Sequence, residues 1–425
     1  MFRTIQINIM NVLDTLLAEL STRRLLIDKK YRNEVAKLHL GSVVEFAFIP
    51  ALEADFSSRS ILNYATSTSR VVSYFMVSSF SKLVNDPVTT ALVEHIIGLI
   101  HKFLSYWLPS LLSEISSWKD GTRNGNYYGV MELLCTHCDF LVDLQTNHAS
   151  SFSRYQDSFL SLFYSSFTSY IVEDMLMHSS LDRLVIAFLL FTAKAANSAD
   201  NNTNVCEGGR TAINCWDSFF TPSLLKSLTR QLLLLISCHL RYNNDDSSEH
   251  EIIDKEYWHD SPEGFYQWEL QRSSEDDVGC AAQNLFLTLI ESSRGKEVML
   301  PWFVEILTNV VAQQVLINLD GMSSTQTSEV VLASMPLGCS SSVSNLKQEL
   351  VLQWDAVYTC YGLSGQIIEN EYFNFDSFFN SIIGPGLAYF VDHELETVRI
   401  YYLYYVVCSN AFCSTLLRLY RNPSQ

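Results

Sequence analysis

Residues 180–197 read Ser-Leu-Asp-Arg-Leu-Val-Ile-Ala-Phe-Leu-Leu-Phe-Thr-Ala-Lys-Ala-Ala-Asn. A serine suited to cap a helix is followed by charges at Asp182 and Arg183, which face outward, and then by an almost unbroken apolar run. The run 184–196 is interrupted by Lys194 and falls short of the roughly 20 apolar residues that cross a bilayer. It reads as a helix over 181–197, one of a series in a helical protein.

The same reading recurs on both sides. Apolar residues at three- and four-residue steps predict helices over 61–84, 88–118, 128–144, 224–240, 278–292, 298–319 and 346–369. Phe152, Tyr155, Phe159, Leu162 and Phe163 form one face of another. Pro87 suits a first helical turn, Thr221-Pro222 reads as a cap followed by proline, and Pro109 should kink or break its helix. Asn124-Gly125 marks a turn, and Arg294-Gly295 joins the helices 278–292 and 298–319. Asp376 opens a short helix ending near Gly384-Pro385-Gly386, and 392–420 closes the chain as a helix carrying Tyr401, Tyr402, Tyr404, Tyr405, Phe412 and Tyr420. Two-residue alternation is almost absent, so strands are few. The expected fold class is all-α, a HEAT/armadillo-type α-solenoid formed as a single array over 1–425, with a Ser-rich loop at 320–345. An irregular all-α globule is the alternative. A solenoid explains how 425 residues of apolar helices avoid one oversized core.

At the N-terminus, Ile5, Ile9, Val12, Leu13, Leu16, Leu17 and Leu20 make residues 1–20 an amphipathic helix rather than a signal peptide, and no transmembrane segment is read. The formal charge is −18, which opposes nucleic-acid binding and favours basic protein partners. Ten cysteines without regular spacing, most inside apolar runs, point to a reducing compartment without a disulfide framework.

Motifs that carry chemistry are few. Cys135-Thr-His-Cys138 has a CxxC spacing, but it lies inside an apolar helix with no second pair, so both cysteines read as core; Cys408 and Cys413 read the same way. Asp200, Asn202 and Asn204 imitate half a calcium loop, yet Val205 and Thr211 stand where glycine and glutamate are needed. Asn201-Asn202-Thr203 carries no weight in an intracellular protein. No hydrolase, zincin, P-loop or dinucleotide motif is present, and the scattered histidines, among them His95, His101, His178 and His239, pair with no nucleophile. The expectation is a non-enzyme with no catalytic, cofactor-binding or metal-binding residues and no cofactor.

One segment stands apart. Residues 243–277 hold twelve acidic side chains against Lys255 and Arg272, with Trp258, Phe265 and Trp268 among them. Such a segment reads as a crossing between helices or a surface for basic partners. The candidate partner-binding residues are Glu249, Glu251, Asp254, Glu256, Trp258, Glu275, Asp276 and Asp277, within an acidic crossing at 241–278.

Within it, Trp258, Pro262, Glu263 and Phe265 have the spacing W-x-x-x-P-E-x-F. This resembles a motif of the importin-11 branch of the importin-β (karyopherin) superfamily. Asp355-Ala-Val-Tyr358 with Gly362-Leu363, then Phe375-Asp376-Ser-Phe378-Phe379, resembles that branch's second island, and Phe219-Phe220-Thr221-Pro222 its run-up to the first. The match covers about 218–387; farther on, where the branch has an Arg-rich helix ending in G-Q-W, this chain has Glu396-Thr-Val-Arg399-Ile and tyrosines. The resemblance implies a HEAT-repeat nuclear transport receptor, or part of one. Its partners would be basic protein cargo and nuclear-pore Phe-Gly repeats, with no nucleic acid and no membrane insertion. It would be found in cytoplasm, nucleus and nuclear envelope. No counterpart of the family's N-terminal Ran-binding repeats is read, so the GTPase Ran enters only with a longer N-terminal part. The alternative is a helical-repeat interaction scaffold unrelated to transport.

Overall fold

The computed structural model describes residues 7–16, 29–56, 58–80, 87–116, 127–168, 181–201, 215–236, 273–320, 356–357, 359–365 and 367–368. Nearly all of these are helical and none is in a strand, so the described chain is all-α. It divides into two compact units, one of residues 1–170 with 180–219, the other of 171–179 with 220–425. The turn at Asn124-Gly125, the cap at Ser180, the polar loop at 202–211, the Ser-rich loop, the short helix at Asp376 and the Tyr-rich helix 392–420 lie outside the described residues.

The first unit contains α1 (7–16), α2 (Lys29–Val43), α3 (Ile49–Leu52), α4 (Arg59–Tyr74), α5 (Pro87–Ser116), α6 (Tyr127–Asn147), α7 (Ala149–Thr168), α8 (Asp182–Asn201) and α9 (Cys215–Ser218). A π-helical turn, Val44–Phe48, joins α2 to α3 without leaving helical backbone, and the Ile49 amide reaches back to the Val44 carbonyl. Its cause is local. Pro50 has no N–H to give and its ring crowds the carbonyl four residues earlier, so the preceding turn widens. A second π turn, Phe75–Ser79, ends α4 at an extended Phe80.

In this unit α4 packs beside α6 and α6 beside α8, while α5 packs on α6 and α7, and α7 on α6 and α8. From α4 to α9, each helix packs against the next but one. The space between α7 and α8 is filled by phenylalanines. Phe152, Phe159, Phe163 and Phe167 descend α7 at seven- and four-residue steps and meet Phe188 and Phe191 of α8; Phe163 and Phe191 lie 5.5 Å apart, Phe167 and Phe188 5.1 Å. Burying each such ring is worth roughly 1.5–3 kcal/mol, so the stripe contributes substantially to holding α7 against α8.

Beside it lies a buried polar junction. With its amide turned so that oxygen and nitrogen both face suitable partners, the Gln145 side chain donates to the Phe191 carbonyl (3.2 Å) and accepts from the Ala195 amide (2.7 Å) and from Gln156 (3.0 Å). Gln156 also donates to Ser198 at 3.1 Å. From α9, Trp216 Nε1 donates to the Ala196 carbonyl (3.2 Å) and Cys215 Sγ to that of Ala195 (3.5 Å). The end of α8 is thus held by side chains of three other helices.

The second unit packs α10 (Pro222–Ile236), α11 (Val278–Glu291) and α12 (Ser293–Asp320) against one another. Leu225, Leu228 and Leu232 of α10, Ala282, Leu285, Phe286 and Leu289 of α11, and Met299, Phe303 and Leu307 of α12 are buried. Phe286 and Phe303 meet edge to face at 5.3 Å. The cap at Thr221 is present: its hydroxyl accepts from the Leu224 amide at 3.4 Å and its carbonyl from Leu225 at 2.9 Å.

Two sequence expectations, at Pro109 and at Arg294-Gly295, are corrected. The helix expected within 1–20 is described over 7–16, and its apolar stripe faces outward. Met10 is buried, Asn11 accepts from Ser67 (3.0 Å), and Asp14 lies 3.7 Å from Arg70, while Ile9, Val12, Leu13 and Leu16 are exposed. Periodicity located the stripe but could not say which side meets α4. Pro109, expected to kink or break its helix, does not break it: it lies on the exposed side of α5, where the freed carbonyl can reach water. Arg294-Gly295 is not the joint between α11 and α12. Ser292 alone, extended at φ −66° and ψ 143°, makes the corner, and Gly295 is already within α12.

Two stretches, Arg32–Leu52 and Pro87–Ser113, are long and apolar enough to cross a membrane by length and composition. Neither includes the apolar run 184–196. Both lay one face into the core, through Leu40, Val44 and Phe48 and through Ile96, Ile100 and Leu104, while Lys37 and Glu45, and Glu94 and Lys102, are exposed. A window average does not register this one-sidedness.

Candidate functional site

Of the eight predicted partner-binding residues, Glu249, Glu251, Asp254, Glu256 and Trp258 lie outside the described residues, as do Pro262, Glu263 and Phe265. The other three form a tight turn. The Ser273 carbonyl accepts from the amides of Asp276 (3.1 Å) and Asp277 (3.0 Å), and its hydroxyl from that of Glu275 (3.2 Å). Glu275 and Asp276 are exposed at its tip. Asp277 has a different task. It is the N-cap of α11, in extended backbone, and its carboxylate accepts from the Cys280 amide at 2.7 Å. The triplet therefore separates into two solvent-facing carboxylates and one structural cap. Asp277→Ala should cost about 1 kcal/mol of unit stability, and Asp277→Asn or Asp277→Ser should restore most of it. Chemical denaturation of the three variants checks this, and equal loss in all three would remove the capping role.

The Cys135–Cys138 motif sits inside α6 as predicted. Cys135 and Cys138 are buried, and burial pushes the Cys135 thiol up to about 12 and raises that of Cys138 as well. Cys215 is raised to about 12 by the same cause. Thiols held protonated in this way are poor nucleophiles and poor ligands. Among the described residues no group of three His, Cys, Asp or Glu side chains could hold a metal ion. His137, between the two cysteines in sequence, is fully buried, lies against Phe48 (6.1 Å) and Phe103 (5.0 Å), and is lowered to about 3 by burial.

A feature not anticipated from sequence is a row of charges across four helices. Arg70 of α4 lies 3.7 Å from Asp14 of α1 and donates at 2.8 Å to one carboxylate oxygen of Glu132 on α6. The other oxygen accepts from Arg183 of α8 at 2.7 Å, and Arg183 also reaches Asp139 at 2.5 Å. Glu132 and Asp139 are seven residues apart and so share a face of α6. Burial raises Asp14 although Arg70 opposes it; burial would lower Arg183, but Asp139 and Glu132 outweigh it and raise it. Apart from Asp14, which is more buried, the participants are 41–48% exposed, so each pair among them is worth a few tenths of a kcal/mol to about 1. The row's effect is to fix α4, α6 and α8 in register. Glu132→Gln should cost about 1 kcal/mol in low salt and less as salt rises. Thermal unfolding at two ionic strengths measures this, and a salt-independent loss would assign the effect to packing. Nothing in the sequence pairs these charges, because the partners lie 44 to 62 residues apart.

Of the second sequence island, Ala356 and Val357 are buried and Gly362-Leu363 is helical, with Leu363 exposed. No family model, curated protein or solved structure matches this chain.

Proposed function

We propose that the chain is a non-enzymatic helical-repeat protein, an α-solenoid that binds other proteins, and that it acts as a nuclear transport receptor of the importin-β type or as a segment of one. The observation that supports the solenoid is the packing order from α5 to α9, in which each helix meets its successor and the next but one. That order arises when antiparallel pairs stack along one direction, each contacting only its neighbours. The transport assignment rests on the two sequence islands. The buried, protonated thiols of Cys135, Cys138 and Cys215 and the neutral His137 support a role in binding rather than chemistry.

In this reading basic cargo contacts acidic surface, to which Glu275 and Asp276 belong, and Phe-Gly repeats enter apolar slots between neighbouring helices. Ran regulates the chain only together with a longer N-terminal part. The scaffold reading needs the same packing order and none of these three partners.

The test is binding of the purified chain, and of a longer N-terminally extended form, to a Phe-Gly repeat peptide and to Ran loaded with GTP. Capture of Phe-Gly repeats by either form supports transport. Failure of both forms with both partners leaves the scaffold reading. A lysine- and arginine-rich peptide tests the acidic turn separately: Glu275→Lys with Asp276→Lys should weaken its binding about threefold at low ionic strength, with little effect at high salt. An unchanged affinity removes the turn from the binding surface.

A further inference from the structure

We draw no further inference here: the strongest candidate, the apolar stripe of Ile9, Val12, Leu13 and Leu16 on α1, is an unpartnered helix face, and nothing in the structure shows what covers it.

Discussion

Gly295→Ala should destabilise the second unit by about 3 kcal/mol, at the upper end of what overpacking costs. Gly295 is buried in the first turn of α12, immediately after the corner at Ser292. A Cβ at this position would overlap the Leu289 carbonyl oxygen and stand 2.9 Å from its carbon. The obstacle is backbone at the end of α11, so it cannot turn aside as a side-chain tip would. Nor can the corner easily open. The Ser292 hydroxyl donates to the Leu289 carbonyl at 2.7 Å and accepts from the Gly295 amide at 3.0 Å, while the Lys296 amide closes onto the Ser292 carbonyl at 2.9 Å. One serine therefore ends α11, caps α12 and sets the approach that only glycine tolerates. Ser292→Ala serves as the comparison, because it loses the cap and adds no atom; about 1 kcal/mol is expected. Urea midpoints, with hydrogen exchange of the α11 and α12 amides, read both. A Gly295→Ala loss no larger than that of Ser292→Ala would mean that the two helices separate at little cost.

This corner also marks how far the sequence could be read. Helix existence was legible because apolar periodicity survives in nearly every segment: 128–144 was expected where Tyr127–Asn147 is found, and 224–240 where Pro222–Ile236 is found. Local chemistry was legible where one or two residues decide it, as with Pro87 and Thr221. The corner itself was misplaced because glycine is a general turn signal, whereas here it is required by an approach to the residue six positions back. The ion row was invisible for a related reason. Arg70, Glu132 and Arg183 meet only after α4, α6 and α8 stand side by side. At α1, composition identified an amphipathic helix but not its orientation, since Asn11 and Asp14 have partners on α4 that periodicity cannot anticipate. For the acidic triplet, the reading of a binding surface overlooked that an aspartate just before an apolar run is first of all an N-cap.

The largest pH effect should come from His137. Ser69 gives its hydroxyl proton to the Ala65 carbonyl at 2.8 Å, so the ring must donate from Nε2 to the Ser69 oxygen, across a long 3.5 Å. Nδ1 is then a bare acceptor, buried without a partner, with Phe48 and Phe103 against the ring. A proton added there would be a buried charge among aromatic edges and faces, which is why burial lowers the group to about 3. In the unfolded chain the same imidazole titrates near 6.5. Below that pH the unfolded state takes up a proton that the folded state refuses, so the stability contributed by the neutral ring is complete above about 6.5 and is lost as pH falls toward 3. The slope is about 1.4 kcal/mol per pH unit and the whole window is worth on the order of 5 kcal/mol. His137→Leu removes both the titration and the orphan nitrogen, while the Ser69–Ala65 bond remains. Unfolding free energies of the two proteins, measured from pH 7 to pH 4, isolate the effect because every other group titrates in both. The variant should gain on the natural protein by about 1.4 kcal/mol for each unit of acidification below 6. Parallel curves would mean that His137 is protonated as easily in the folded protein as outside it, and that the α4–α6 interface admits water to Nδ1.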